Sequence, residues 1–154
     1  MKIEVTNLEP QPAIALKKTA VHMDHIADVV TQGFSELEEY VAAQGREIVS
    51  APYLAYMNCS EDFSQFDIEL GMPVSEAVST DGDFYMSQSC EGKAIVTTHK
   101  GAYKDIDAAY NALMDYAKEN ELEMTGVYYD YYIDDPAVTP EEELLTQVVF
   151  PIKE

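Results

Sequence analysis

Four tyrosines surround a single acid in the stretch GVYYDYYIDDP, residues 126–136. Side chains alternate between the faces of a β-strand, so Tyr128, Asp130 and Tyr132 share one side and Val127, Tyr129, Tyr131 and Ile133 the other. The second set reads as a helix-packing surface. The first puts a carboxylate between aromatic rings, which is either a wet polar face carrying tyrosines or the floor of a site for an organic cation. A cation leaving water needs countercharge and polarizable surface, and each well-placed tyrosine ring supplies roughly 0.5–2 kcal/mol of the second. Burial without a ligand raises an aspartate pKa, so such a site is expected to be partly protonated when empty and to ionise as a cation arrives.

Other residues with chemical potential form weaker patterns. His22-Met23-Asp24-His25 brings two imidazoles near a helix start, but zinc needs three or four converging ligands and only His99 is left, so no metal site is expected. His99, in THKGAY, reads as a residue that fixes a strand-to-helix turn rather than as a base. The sequence has no G-x-S-x-G, no P-loop and no glycine-rich dinucleotide fingerprint, and no cofactor is expected. Ser60-Glu61-Asp62 and Glu141-Glu142-Glu143 read as solvated loops and helix-start charges.

The elements that would hold Asp130 follow from periodicity. One helix is expected from about Asp24, as its cap, to Gln44, with Ile26, Val30, Phe34, Leu37 and Val41 on an apolar stripe and Gly45 ending it. A second spans about Tyr103 to Glu119, with Ile106, Tyr110, Leu113 and Ala117 on its stripe and Asn120 near its stop. Adding 76 maps Val30 to Ile106, Phe34 to Tyr110, Leu37 to Leu113 and Tyr40 to Tyr116, and carries Tyr53 to Tyr129 and Tyr56 to Tyr132. With two further residues in the following loop, Met72-Pro73-Val74 maps to Phe150-Pro151-Ile152. This is an internal repeat, each half reading strand, helix, strand, strand, with halves at about 1–74 and 83–154 of one domain spanning 1–154.

The expected strands are Ala13 to Lys17, Pro52 to Asn58 and Gln65 to Pro73, then Lys93 to Thr98, Gly126 to Asp134 and Leu145 to Ile152. Asp83 to Cys90 reads as an extra strand paired with Lys93 onward in a hairpin through Glu91-Gly92. Thr139-Pro140-Glu141-Glu142 predicts a short helical turn before the last strand. The fold class is therefore α+β: an antiparallel sheet with two long helices on one face, the other face or the seam between halves being partly open. On the first-half strand, Leu54, Tyr56 and Asn58 take the positions equivalent to Asp130 and its neighbours, which predicts an asymmetric cleft with one charged and one apolar wall. Tyr103, at the start of the second helix, is a further candidate lining residue.

Composition narrows the partners. Nine basic against 29 acidic residues leave a net charge of −20, a field that repels phosphate backbones and anionic lipid and attracts cations. Direct nucleic-acid binding is not expected. Two cysteines, Cys59 and Cys90, give no disulfide framework, and no segment approaches the roughly 20 apolar residues of a membrane span. These features predict a soluble, cytoplasmic protein.

The second half carries a resemblance to a known family. AIVTTHKGAYKDIDAAYNALMDYAKENELEMTG (94–126), then YYDYYIDDP (128–136), then TPEEELLTQVVFPI (139–152) resemble, in order, the gyrase-inhibitor-like (GyrI-like) effector-binding domains. These domains also occur behind DNA-binding modules in AraC- and MerR-type regulators. The resemblance covers nearly the whole chain, more weakly before Pro52. It implies a duplicated strand-helix-strand-strand fold with ligands in a cleft between halves, and a strand glutamate that meets lipophilic cations. The matching residue is Asp130, one methylene shorter, with Tyr132 two residues on. With Tyr128, Tyr56, Leu54 and Tyr103 from the strand alternation, the 76-residue offset and the helix start, the candidate ligand residues are Asp130, Tyr132, Tyr56, Tyr128, Tyr103 and Leu54.

The reading that results is a stand-alone protein capturing amphipathic, cationic or aromatic small molecules, for sequestration or effector sensing. The first expected strand begins at Ala13, and no helix-turn-helix is expected before it. Two alternatives accompany it: a hydrolase of strained-ring genotoxic compounds with Asp130 as general base, and an acidic protein-interaction module such as a gyrase inhibitor.

Overall fold

In the computed structural model, which describes residues 2–62 and 64–153, the first apolar stripe becomes one face of α1 (Ile26–Ala43). Leu37 and Val41 are buried, and Ile26, Val30 and Phe34 pack against the same core. A 3-10 turn, Met23–His25, leads into the helix and is capped by His22, to whose Nδ1 Asp24 N–H donates at 3.1 Å; the N-cap of α1 is His25 rather than Asp24. Beyond the helix Gly45 takes a φ of 69°, the left-handed conformation in which a side chain is disfavoured. The second stripe forms α2 (Asp107–Glu119), again entered through a 3-10 turn, Tyr103–Asp105. Leu113 and Ala117 are buried there, with Ile106 and Tyr110 packed beside them.

Among the described residues eight strands form one antiparallel sheet: β1 (Glu4–Leu8), β2 (Pro12–His22), β3 (Tyr53–Met57), β4 (Gln65–Pro73), β5 (Phe84–Gln88), β6 (Gly92–Lys100), β7 (Tyr128–Tyr132) and β8 (Leu145–Pro151). Their spatial order is β1-β6-β8-β7-β3-β4-β2-β5. The repeat is visible as β2-α1-β3-β4 and β6-α2-β7-β8, joined through the β3–β7 pair at the centre. Glu141–Glu143 forms the short helical turn expected before β8.

Two strands differ from expectation. β5 does not form a hairpin with β6; it pairs with β2 at the opposite edge, Ile14 opposite Met86. The edge of β6 is taken instead by β1, Val5 opposite Ile95, a strand that the polar sequence Glu4-Val5-Thr6-Asn7-Leu8 does not announce. Each half thus lends its leading strand to the other.

That exchange curls the sheet. Only three residues join β1 to β2, and three join β5 to β6, yet each pair is six places apart in the sheet. Laid flat at about 4.8 Å per strand, the ends would lie about 29 Å apart, whereas such links span at most about 14 Å. The helix-free face is therefore concave, and it is filled rather than open. Small side chains Ala13, Ala55 and Ala94 leave room there for Tyr53, Tyr129 and Tyr131. Tyr53 lies over Gly71, where an added Cβ would sit 2.3 Å from its ring, and its hydroxyl donates to Glu69 Oε2 at 2.7 Å. Both α1 and α2 pack on the other face, each over its own half. No helix among the described residues is long and apolar enough to cross a membrane.

Candidate functional site

The site is built where the halves meet. Across the β3–β7 pair Leu54 is the direct partner of Asp130, and Tyr56 that of Tyr128. Directly paired residues have Cβ atoms about 5 Å apart and point to one face. The two strands are therefore neighbours on one floor, not the facing walls of a cleft with one charged and one apolar side. The repeat identified the equivalent strands; hydrogen bonding across the pseudo-two-fold axis makes them adjacent.

The faces of β7 are the reverse of the sequence expectation. Tyr129 and Tyr131 lie on the concave, helix-free side with Tyr53, Ala94 and Val149. The Asp130 face lies beneath the helices, with Tyr132 packed in the α1 core and Tyr128 in the α2 core. Aromatic residues alternate on both sides of this strand, so hydrophobicity could not separate them.

Asp130 is only 3% exposed. Tyr110 Oη, from α2, donates to Asp130 Oδ2 at 2.6 Å, while Asp130 Oδ1 has no hydrogen-bond partner among the described residues. Burial pushes the carboxyl up to about 7, against the Tyr110 hydrogen bond, which favours the ionised form. The raised carboxyl is the effect expected of burial at this position.

Around it the candidate tyrosines converge unequally. Tyr132 stands edge-on to Phe34 of α1, ring centroids 5.7 Å apart, and to Tyr103, 5.5 Å apart. Its phenol is held far above the usual range by burial and then by the Asp130 charge. Tyr56 meets Phe66 edge-on at 5.5 Å, and burial followed by Asp130 raises its phenol also. Tyr128 shares the face but leans on Phe150, 4.7 Å away. Tyr103, on the 3-10 turn, is 36% exposed and forms the outer ring of the group. Leu54 is fully buried in the first core and carries no exposed surface for a ligand in this closed arrangement.

Three participants were not among the expected site residues: Tyr110, Phe34 and Thr146. Phe34 and Tyr110 were read only as stripe positions, although the 76-residue offset makes them equivalent and so places both above the central strands. Thr146, the β8 partner of Tyr132, is completely buried and its Oγ1 also lacks a partner among the described residues. His99 bonds through Nε2 to Ala102 O at 2.8 Å, holding the turn into α2 as expected.

Two hollows flank this centre. One of about 300 Å³ is lined by Ala102, Tyr103, Lys104, Pro136, Thr139, Glu141 and Leu144, directly outside Tyr103. Another of about 220 Å³ lies on the concave side between the β1–β2 and β5–β6 links, beside Tyr131 and Cys90. The arrangement can do two things chemically: supply a countercharge inside an aromatic enclosure, or accept a proton near neutral pH.

Solved structures with this fold are similar over nearly the whole chain. The EcmrR C-terminal domain aligns with a TM-score of 0.83 at 17% identity, covering 99% of this chain and 98% of that one. EcmrR in its DNA complex gives a TM-score of 0.85 at 16% identity, and there the present chain spans 57% of the relative. SAV2435 bound to tetraphenylphosphonium aligns at a TM-score of 0.69 and 12% identity, covering 99% and 94% of the two chains. A hydrolase from Listeria innocua gives the same TM-score and identity, with 99% and 92% covered. At these identities the likeness is one of fold. No functionally curated protein matches the chain in sequence. The family described as the GyrI-like small molecule binding domain matches residues 1–153, and the chain belongs to that family.

Proposed function

We propose that the protein binds an amphipathic, aromatic cation on the Asp130 face of the central strands. The observation that carries this is a single carboxylate, 3% exposed and held near neutrality, enclosed by Tyr56, Tyr110, Tyr128 and Tyr132. A cation entering there ionises the acid and gains both its charge and the ring faces. The bound cation of SAV2435, on the same fold, supports the ligand class. Because Asp130 is covered in this structure, binding requires the Tyr110 hydroxyl or the Tyr103 ring to give way. That movement of α2 relative to the floor offers a signal of occupancy, the role of an effector-sensing domain, while capture alone serves sequestration.

The test uses two probes of one skeleton, (4-tert-butylbenzyl)trimethylammonium and neutral 4-tert-butylbenzyl alcohol, titrated calorimetrically at pH 8. The cation is expected to bind more tightly than the alcohol, and Asp130→Asn to weaken the cation tenfold or more while leaving the alcohol unchanged. Equal loss for both probes, or none, would sink the charge role.

A second reading rests on the same pKa. A carboxylate near 7 with one free oxygen is suited to general-base activation of water, and a Listeria innocua relative in fold is described as a hydrolase. Hydrolysis of a strained epoxide by the wild type, absent in Asp130→Ala and read by mass spectrometry, would move the assignment to catalysis.

A further inference from the structure

Thr146 is buried within the helix-side face of β8, in line with Val148 and Phe150, where a valine would pack and leave no polar atom. Among the described residues its Oγ1 has no partner, and neither does Asp130 Oδ1. These are two unpartnered buried oxygens on one face. Asp130 is paired with Val148 and Tyr132 with Thr146, so Thr146 is the diagonal neighbour of Asp130. Diagonal residues have Cα atoms about 7–8 Å apart, and their side chains approach more closely. Two acceptors on one ammonium nitrogen, each about 2.9 Å from it at tetrahedral geometry, stand about 4.7 Å apart. One ammonium group can therefore bridge them.

We propose that the ligand is a primary or secondary ammonium rather than a quaternary cation, its N–H groups donating to Asp130 Oδ1 and Thr146 Oγ1. This rests on the cation reading above and specifies its chemistry. A quaternary group satisfies the charge but leaves both oxygens unpaired, whereas an ammonium satisfies both. Position supports the assignment. Tyr132 and Thr146 lie at the end of the floor nearest the 300 Å³ hollow, with Tyr103 between that hollow and Tyr132. Asp134 and Asp135 lie close enough to Tyr103 to raise its phenol, after the larger effect of burial, and give the entrance an attraction for cations. A ligand moving inward past Tyr103 thus meets Thr146 before Asp130.

The test compares 4-tert-butylbenzylammonium with its trimethylammonium analogue by calorimetry at pH 8, on wild type, Thr146→Val and Thr146→Ser. Wild type is expected to prefer the primary ammonium tenfold or more. Thr146→Val should cut that preference below about threefold without weakening the quaternary probe, and Thr146→Ser should keep it. Thr146→Val should also unfold no more readily than wild type, since it removes an unpartnered buried hydroxyl. Equal affinity for the two cations in wild type, or parallel loss of both in Thr146→Val, would overturn the ammonium assignment while the cation reading stands. If neither cation binds in an Asp130-dependent way, both the ammonium assignment and the cation reading fall.

Discussion

Asp130→Asn should change the pH dependence of stability more than stability itself. In the folded protein the carboxyl titrates at about 7 because burial penalises its charge; in the unfolded chain it titrates near 3.9. Below about pH 4 both states are protonated and the residue is neutral to folding. Between about 4 and 7 only the folded state holds the proton, so wild type loses stability with rising pH at about 1.4 kcal/mol per unit. Above about 7 both are ionised and the loss levels off, near 4 kcal/mol in total. The phenols around it, Tyr56, Tyr110 and Tyr132, are all raised, chiefly by burial, and stay protonated across this range. The asparagine has no such titration, but its buried N–H group without a partner costs about 1–3 kcal/mol at every pH. The variant should accordingly be the less stable protein at pH 4.5 and the more stable one at pH 8, the difference swinging by about 3 kcal/mol. Urea denaturation of both proteins across that range reads the swing directly. The large background slope of a chain with net charge −20 is nearly the same in each and cancels in the comparison. A difference constant with pH would mean that water reaches the carboxylate and that the burial argument is wrong.

Two further outcomes follow from neighbouring contacts. Tyr110→Phe removes the donor that favours the ionised acid, so the Asp130 midpoint should rise above about 7 when followed by the carboxyl carbon resonance; an unchanged or lower midpoint contradicts the 2.6 Å contact. Gly71→Ala puts a Cβ 2.3 Å from the Tyr53 ring and should lower the unfolding free energy by about 2–4 kcal/mol; a change below about 1 kcal/mol would show that the ring swings aside freely.

The helices and the repeat were legible because their information is local: stripes such as Leu37–Val41 and Leu113–Ala117 need only the 3.6-residue period. β5 was assigned to the wrong neighbour because Glu91-Gly92 is a good turn signal, while the competing strand β1 is short and polar and wins through register with β6. The face of Asp130 was misread because both sides of YYDYY carry rings, and only the position of α2 distinguishes them. The difference between the halves at this position, by contrast, was visible in the offset that carries Leu54 to Asp130, while their adjacency was not. Those two positions are equivalent in the repeat and are also direct partners across β3 and β7, so the pseudo-two-fold axis passes between them. An acid retained in both copies would place two carboxylates on Cβ atoms about 5 Å apart in a buried floor, where like charges cannot both ionise. One of the pair must share a proton or be lost. With Leu54 on the other side, no second carboxylate shares the Asp130 proton, and the symmetric scaffold carries one acid rather than two at its centre.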